Sequence, residues 1–263
     1  MGGKRPRRKV IIFLVEGPSE LRALAPTIEG LYDSIDPECE VFFPPMTEDG
    51  QEHWGDLTAK YGINPHTIEK CIEKLYFHDF LQKKKLYPKD ITEIIHIFDM
   101  DGVYVEDSSV IEGPNPTGED KVFYASDGMI TLHQQDIIER NMRKRENIDH
   151  LLSLPKIKIA SKSIPYSAYF FSSNLDHFLY DEANLIDGRE KYDRADQFAD
   201  KYVDNPTGFI ETLRNIPGSL TDMSYEESWQ FIRERCLNSL RRHSNICILF
   251  EKLAGKANKS QNT

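Results

Sequence analysis

Carboxylates at two places in the chain are set up to act together. The first group lies in Phe13-Leu14-Val15-Glu16-Gly17-Pro18-Ser19-Glu20, the second in Ile95-His96-Ile97-Phe98-Asp99-Met100-Asp101. The first follows a short continuous apolar run and the second a largely apolar one, Ile91–Phe98, the pattern of strands buried on both faces. Glu16 therefore stands at a strand's carboxyl end, Gly17 permits a tight turn, and Glu20 falls in the first turn of a helix that Pro18 suits. Along a strand, positions i and i+2 share a face, so Asp99 and Asp101 are expected to project together. The carboxyl ends of strands are where open α/β sheets bind ligands. Carboxylates gathered there repel unless they are protonated or bridged by a cation. Hard oxygen donors of this kind suit Mg²⁺ or Mn²⁺.

These segments together resemble the TOPRIM superfamily, whose core is a small parallel sheet with a glutamate in an E-G turn after one strand and a D-x-D after a later one. Leu14-Val15-Glu16-Gly17-Pro18-Ser19-Glu20 looks particularly like the OLD-family and RloB-like nucleases of bacteria. The likeness covers roughly residues 10–105. It implies Mg²⁺- or Mn²⁺-dependent phosphodiester cleavage of nucleic acid, either DNA or tRNA and other RNA. It carries over Glu16 as a general acid/base and Asp99 and Asp101 as the metal-binding pair, all three catalytic, with Glu20 as a further metal ligand. Short nucleases of this kind often stand beside an ATPase in anti-phage defence systems. The resemblance thus implies a gated effector with an ATPase partner or a second copy of the chain. Topoisomerases and primases of the superfamily need a tyrosine-bearing domain or a zinc module, for which this chain has neither the length nor the cysteines. A non-catalytic binding subunit on the same fold is the non-enzymatic alternative.

Phe98-Asp99-Met100-Asp101-Gly102-Val103 also looks like the first motif of haloacid-dehalogenase-type phosphatases. There the first Asp is the nucleophile and the second the general acid/base. That family opens with this strand near the N-terminus and needs a downstream lysine and a later acidic pair. Here the motif sits 98 residues in, the nearest acidic candidate is Asp187-Gly188 in a helical context, and Glu16-Gly17 is left without a role.

A third segment, Ser172-Ser173-Asn174-Leu175-Asp176-His177, follows an apolar strand and opens a helix. RloB-like proteins carry an Asn-led helix start near this place, so Asn174, Asp176 and His177 are candidates for supporting the metal ligands or touching substrate. The competing reading is a plain helix cap, with Asp176 favoured at the positive helix end. Basic clusters at Lys4–Lys9, Lys83–Lys85, Arg140–Arg145 and Arg241-Arg242-His243 offer phosphate contacts or ordinary solvated surface. His96, within an apolar strand, reads as a packed core histidine.

The elements that must position these groups follow from the pattern. A basic arm (1–9) precedes a TOPRIM-like α/β domain over 10–188, a small parallel sheet flanked by helices. A mainly helical region (189–253) and a polar tail (254–263) complete the chain. Strands are expected at Val10–Val15, Glu40–Phe43, Ile91–Phe98, Lys121–Ala125, Ile157–Ala160, Ala168–Phe171 and Asn245–Phe250. Helices are expected at 65–85, at 130–154 with Arg140, Arg143, Lys144 and Arg145 on its outer stretch, and at 175–186, 190–203, 206–215 and 224–242. Residues 46–63 read as loop. Tyr192, Ala195, Phe198, Ala199 and Tyr202 recur at helical spacing and make a candidate docking stripe.

The 263 residues carry 33 Lys and Arg against 43 Asp and Glu, a net charge of −10. That excludes a generic nucleic-acid coat protein and requires local basic patches or bound metal for any contact with a polyanion. The four cysteines form no C-x-x-C pair, which suits a reducing, cytoplasmic setting. The apolar run after the basic arm is six residues long, Val10–Val15. That is too short for a secretory core, and no stretch is long enough to span a membrane.

Overall fold

The computed structural model describes residues 8–185, 187–234 and 236–260. Its centre is a five-stranded sheet formed by β1 (Lys9–Leu14), β2 (Cys39–Phe42), β5 (Ile91–Asp99), β9 (Lys156–Ile159) and β10 (Lys162–Phe171), in the order β2-β1-β5-β10-β9. Four strands run parallel, and β9 pairs antiparallel with the first part of β10. The architecture is mixed α/β with helices on both faces.

Strand alternation explains why the apolar runs are continuous. Val10, Ile12 and Leu14 enter one core, with Ile94 and Phe98 of β5. Ile11, Phe13 and Val15 enter the other, with Ile95 and Ile97. A strand with water on one face would alternate with polar residues, and this one cannot. The first core is closed by α2 (Ile68–Ile72), α3 (His78–Lys84), α4 (Gln134–Leu152) and α8 (Tyr225–Arg233), through residues such as Ile72, Ile148 and Trp229. The second is closed by α1 (Pro18–Ile35), α5 (Leu175–Tyr180), α6 (Gly188–Tyr202), α7 (Pro206–Asn215) and α9 (Ile246–Ser260). Residues on both sides of position 188 share that second core. Ala195, Phe198 and Tyr202 are buried in it, Ala199 is buried as well, and only Tyr192 of the candidate docking stripe is exposed.

Two small sheets decorate the frame. A hairpin of β3 (Met46–Glu48) and β4 (Gln51–His53) occupies part of the segment expected as loop. Between β5 and α4, the strands β6 (Val110–Glu112), β7 (Phe123–Tyr124) and β8 (Met129–Thr131) form a sheet in the order β6-β8-β7.

Several expected boundaries move. The helix expected from residue 130 begins at Gln134, because Met129–Thr131 pairs in the small sheet. The helix expected over 65–85 starts at Ile68 and passes through a π-turn at Glu73–Phe77. The one expected over 224–242 ends at Arg233, and a 3₁₀ turn follows at Leu237–Leu240. The strand expected at 245–250 is the start of α9, and the helix continues to Ser260 through most of the expected tail. Buried Ile246, Leu249, Phe250 and Leu253 have helical spacing, so the short apolar run was one face of a longer amphipathic helix. The basic arm lies outside the described residues except for Arg8, which pairs with Glu40, and Lys9, which opens β1.

Candidate metal centre

Register brings the carboxyl ends of three strands to one edge. Leu14 lies opposite His96 and Phe171 opposite Asp99, so Glu16, Asp99 and Ser172 leave the sheet together. Gly17 then caps α1 in extended conformation, with Pro18 in its first turn. The Glu20 carboxylate folds back to where a side chain at position 17 would stand, 2.6 Å from an ideal Cβ. Any larger residue at 17 must displace that carboxylate.

Asp101 reaches the site by a different route from the one expected. Asp99 is the last strand residue, and the chain turns immediately through left-handed Asp101 (φ +50°) and Gly102 (φ +69°). The pair converges because of this turn, not through strand alternation. Asp is among the residues that tolerate this region. The turn is fixed by main-chain bonds from Met100 to Phe171, Asp101 to Ser173 and Gly102 to Ser239.

At the centre is a lysine. The Lys144 side chain is fully buried, and its Nζ lies 2.8 Å from Asp56 Oδ2, 3.0 Å from Asp101 Oδ2 and 3.4 Å from Glu16 Oε1. It also donates to the main-chain oxygen of Asp99. Burial alone would depress the ammonium, but Asp101, Asp56 and Glu16 hold its pKa well above the ordinary value. Arg140, on the same helix, donates to the Asp101 carbonyl. The run expected as outer surface thus turns Arg140 and Lys144 inward, because that face of α4 packs on the carboxylates.

The acids respond unequally. Burial and neighbouring Asp56 push Glu16 well above the usual carboxylate range. Burial also opposes ionisation of Asp56, yet Lys144 and donors from Thr58 and Ala59 keep its pKa below the ordinary value. Burial, then Glu20, Glu16 and Asp101, raise Asp99 strongly. Asp99 Oδ1 is a buried oxygen with no hydrogen-bond partner. Glu16 Oε1 accepts from Asp99 N at 3.2 Å, and Asp101 Oδ1 from the Tyr124 hydroxyl at 3.0 Å.

Glu16 and Asp101 meet at this edge, and Asp99 adjoins them through its main-chain N–H on Glu16; the oxygens close enough to share one ion come from Glu16, Asp56 and Asp101, and neither Asp99 nor Glu20 belongs to that group. Glu20 lies on the Asp99 side and is buried. Burial, partly offset by main-chain donors at Glu20 and Gly17, raises its pKa to about 7, with Asp176 adding to the rise and Lys191 opposing it. Asp176 pairs with Lys191 at 3.3 Å. Asn174 caps α5, accepting from His177 N and donating to the Ala183 carbonyl. His177 turns to Ser173 and Asp181. His96 is buried against Tyr166, and burial lowers its pKa to about 3.

Two members, Asp56 and Lys144, were not among the expected residues. One oxygen from each of Glu16, Asp56 and Asp101 lies within 4.8 Å of the others, close enough to share one cation. The donor set is all hard oxygen, so these residues fit a small divalent ion. Lys144 supplies the positive charge that otherwise balances them. Comparison of the chain with protein-family models, curated proteins and solved structures gave no match.

Proposed function

We propose that the protein is an Mg²⁺- or Mn²⁺-dependent phosphodiester hydrolase acting on nucleic acid, of the TOPRIM kind, serving as a gated anti-phage effector. The observation that carries this reading is the convergence of Glu16, Asp56, Asp99 and Asp101 from three separate segments at the carboxyl edge of parallel strands. One buried ammonium, Lys144, faces three of these acids, and a divalent cation would supply the remaining compensation that burying them calls for. Glu16, Asp56, Asp99 and Asp101 would hold the metal. When bound, it supplies Lewis-acid activation of water and stabilisation of the leaving oxygen. The chain's own part is to orient: Tyr124 and Arg140 fix Asp101, and Lys144 fixes Glu16 and Asp56.

One observation favours the phosphatase reading. That family needs a lysine downstream of its first motif, and Lys144, downstream of Asp101, lies 3.0 Å from it. Against it, Glu16 and Asp56 share the cluster equally, and Asp187 caps α6 through Arg189 N and Glu190 N.

The test is incubation of the purified chain with plasmid, linear DNA and total RNA in Mg²⁺, Mn²⁺ or EDTA, alone and with the product of its neighbouring gene. Cleavage is expected with metal, strongest with the partner, and absent in EDTA and in Asp99→Asn. Phosphomonoester hydrolysis that survives Glu16→Gln would move the assignment to the phosphatase.

A further inference from the structure

A groove of about 660 Å³ lies between α3 and the turn that joins β9 to β10. Phe77, Leu81, Leu86 and Ile159 give it an apolar floor, and Tyr87, 54% exposed, stands at its side. Residues 85–88 lead into the start of β5, whose other end carries Asp99. The nine residues of that strand, roughly 26 Å, lie between the groove and the metal centre.

The backbone is irregular on both sides of the groove. One wall passes through the π-turn Glu73–Phe77, and the chain turns through left-handed Lys85 (φ +53°) and Ala160 (φ +51°). π-Turns and left-handed residues other than glycine concentrate at functional sites. The Glu73 carboxylate ties the walls together by accepting from Ala160 N at 2.7 Å.

The charge of the rim is one-sided. Lys70, Lys74, His78 and Lys85 line the groove, and Glu73 is the one acid among its described lining residues. His78 lies 2.8 Å from Asp79. Lys70 and Lys74 are exposed, and neither forms an ion pair among the described residues. The acids beside them in the chain are engaged elsewhere, Glu69 with His150 at 3.5 Å and Glu73 with Ala160. Glu48, on which Lys74 acts from farther off, pairs with Lys60 at 2.6 Å. Two ammonium groups four positions apart on one helical face repel each other.

We infer that this groove docks an acidic amphipathic helix of a partner protein, its apolar face on Phe77, Leu81 and Leu86 and two of its carboxylates on Lys70 and Lys74. Carboxylates four positions apart on a helix have the same spacing as the two lysines, about 6 Å. Grooves take helices in this way, through apolar anchors one and two turns apart. The inference is independent of the hydrolase reading, because a segment docked at the amino end of β5 leaves the acids at its carboxyl end uncovered.

The experiment is fluorescence anisotropy of the full chain with two labelled helical peptides of roughly 16 residues. Both carry the same leucine face, flanked by glutamates in one and by lysines in the other. The glutamate peptide is expected to bind at least about tenfold more tightly, and to weaken as salt rises. The double substitution Lys70→Glu/Lys74→Glu, at exposed positions, should invert the preference. Leu81→Asp should abolish binding of both peptides; if that variant fails to fold, the charge-reversed chain decides alone. Equal binding of the two peptides, binding of neither, or a preference unchanged by charge reversal would overturn the inference. So would decanoate binding the groove more tightly than the peptide, which would make the guest a small amphipathic anion, or a concentration-dependent dimer lost on charge reversal, which would make it a second copy of the chain.

Discussion

Replacing Lys144 by methionine removes a charge while keeping most of the volume. In the native protein the ammonium sits 2.8 Å from Asp56 and 3.0 Å from Asp101 with no exposure to water. Its loss leaves at least these two carboxylates buried without a counter-ion. Breaking a buried ion pair by removing one partner costs about 3–5 kcal/mol. With a urea slope near the top of the usual 1–3 kcal/mol/M for a chain this long, the midpoint should fall by roughly 1–2 M at pH 7.5 in EDTA. Two rescues are expected. Without the ammonium, the carboxylates hold their protons more tightly in the folded state than in the unfolded chain. The native state then binds more protons, and the deficit shrinks as the pH falls from 7.5 toward 5. Added Mg²⁺ should restore about 2.7 kcal/mol at a hundred times its dissociation constant. A variant whose midpoint in EDTA equals that of the wild type would refute the reasoning, because the lysine would then not be balancing the acids.

Asp99→Asn removes a carboxylate that burial and three neighbouring acids disfavour; the apo protein should be as stable as wild type or more so at pH 7.5, while the rise in melting temperature with Mg²⁺ disappears. A persistent Mg²⁺ shift in that variant would remove Asp99 from the metal set. Glu20 has a folded pKa raised to about 7, so ionising it costs stability that is fully lost above that pH and regained as the pH falls toward 4.5. Glu20→Gln should therefore stabilise by about 3 kcal/mol at pH 8 and do nothing near pH 4, and urea curves at the two pH values check it. His96, with its pKa lowered to about 3, should show no titration of its ring resonances between pH 5 and 8, and a midpoint near 6.5 would contradict its burial. Gly218 has φ +90°, and a Cβ there would fall 1.5 Å from the Arg242 carbonyl; Gly218→Ala should cost at least about 3 kcal/mol, read as a lowered urea midpoint.

Where the sequence could be read, it was read through periodicity. Val10–Val15 had no polar positions and Ile94–Phe98 only His96, which left strands covered on both faces, and the acids at their ends followed. Asp56 gave no such signal. It stands in a segment without an apolar period, and the turn it makes with Thr58 and Ala59 marks a loop and nothing more. Lys144 was legible in principle. Ile148 and Leu151 fix the inward face of α4, and Lys144 precedes them by four and seven positions, one and two helical turns. The basic run around it hid that placement, since Arg, Lys and Arg neighbours suggest solvent. The error at Asn245–Phe250 has the opposite cause: the five apolar residues Ile246–Phe250 are too few to tell the strand period from the helical one.

The antiparallel strand β9 closes one side of the sheet, and its four residues alternate exposed Lys156 and Lys158 with buried Ile157 and Ile159. An edge that is short and studded with lysine is a poor template for another strand, because a second copy approaching it would set like charges side by side. The lysines thus guard this side of the sheet. Growth of the sheet into fibrils through β9 is disfavoured, and a second copy of the chain that joined this one would have to meet it through side-chain surfaces instead of continuing the sheet there.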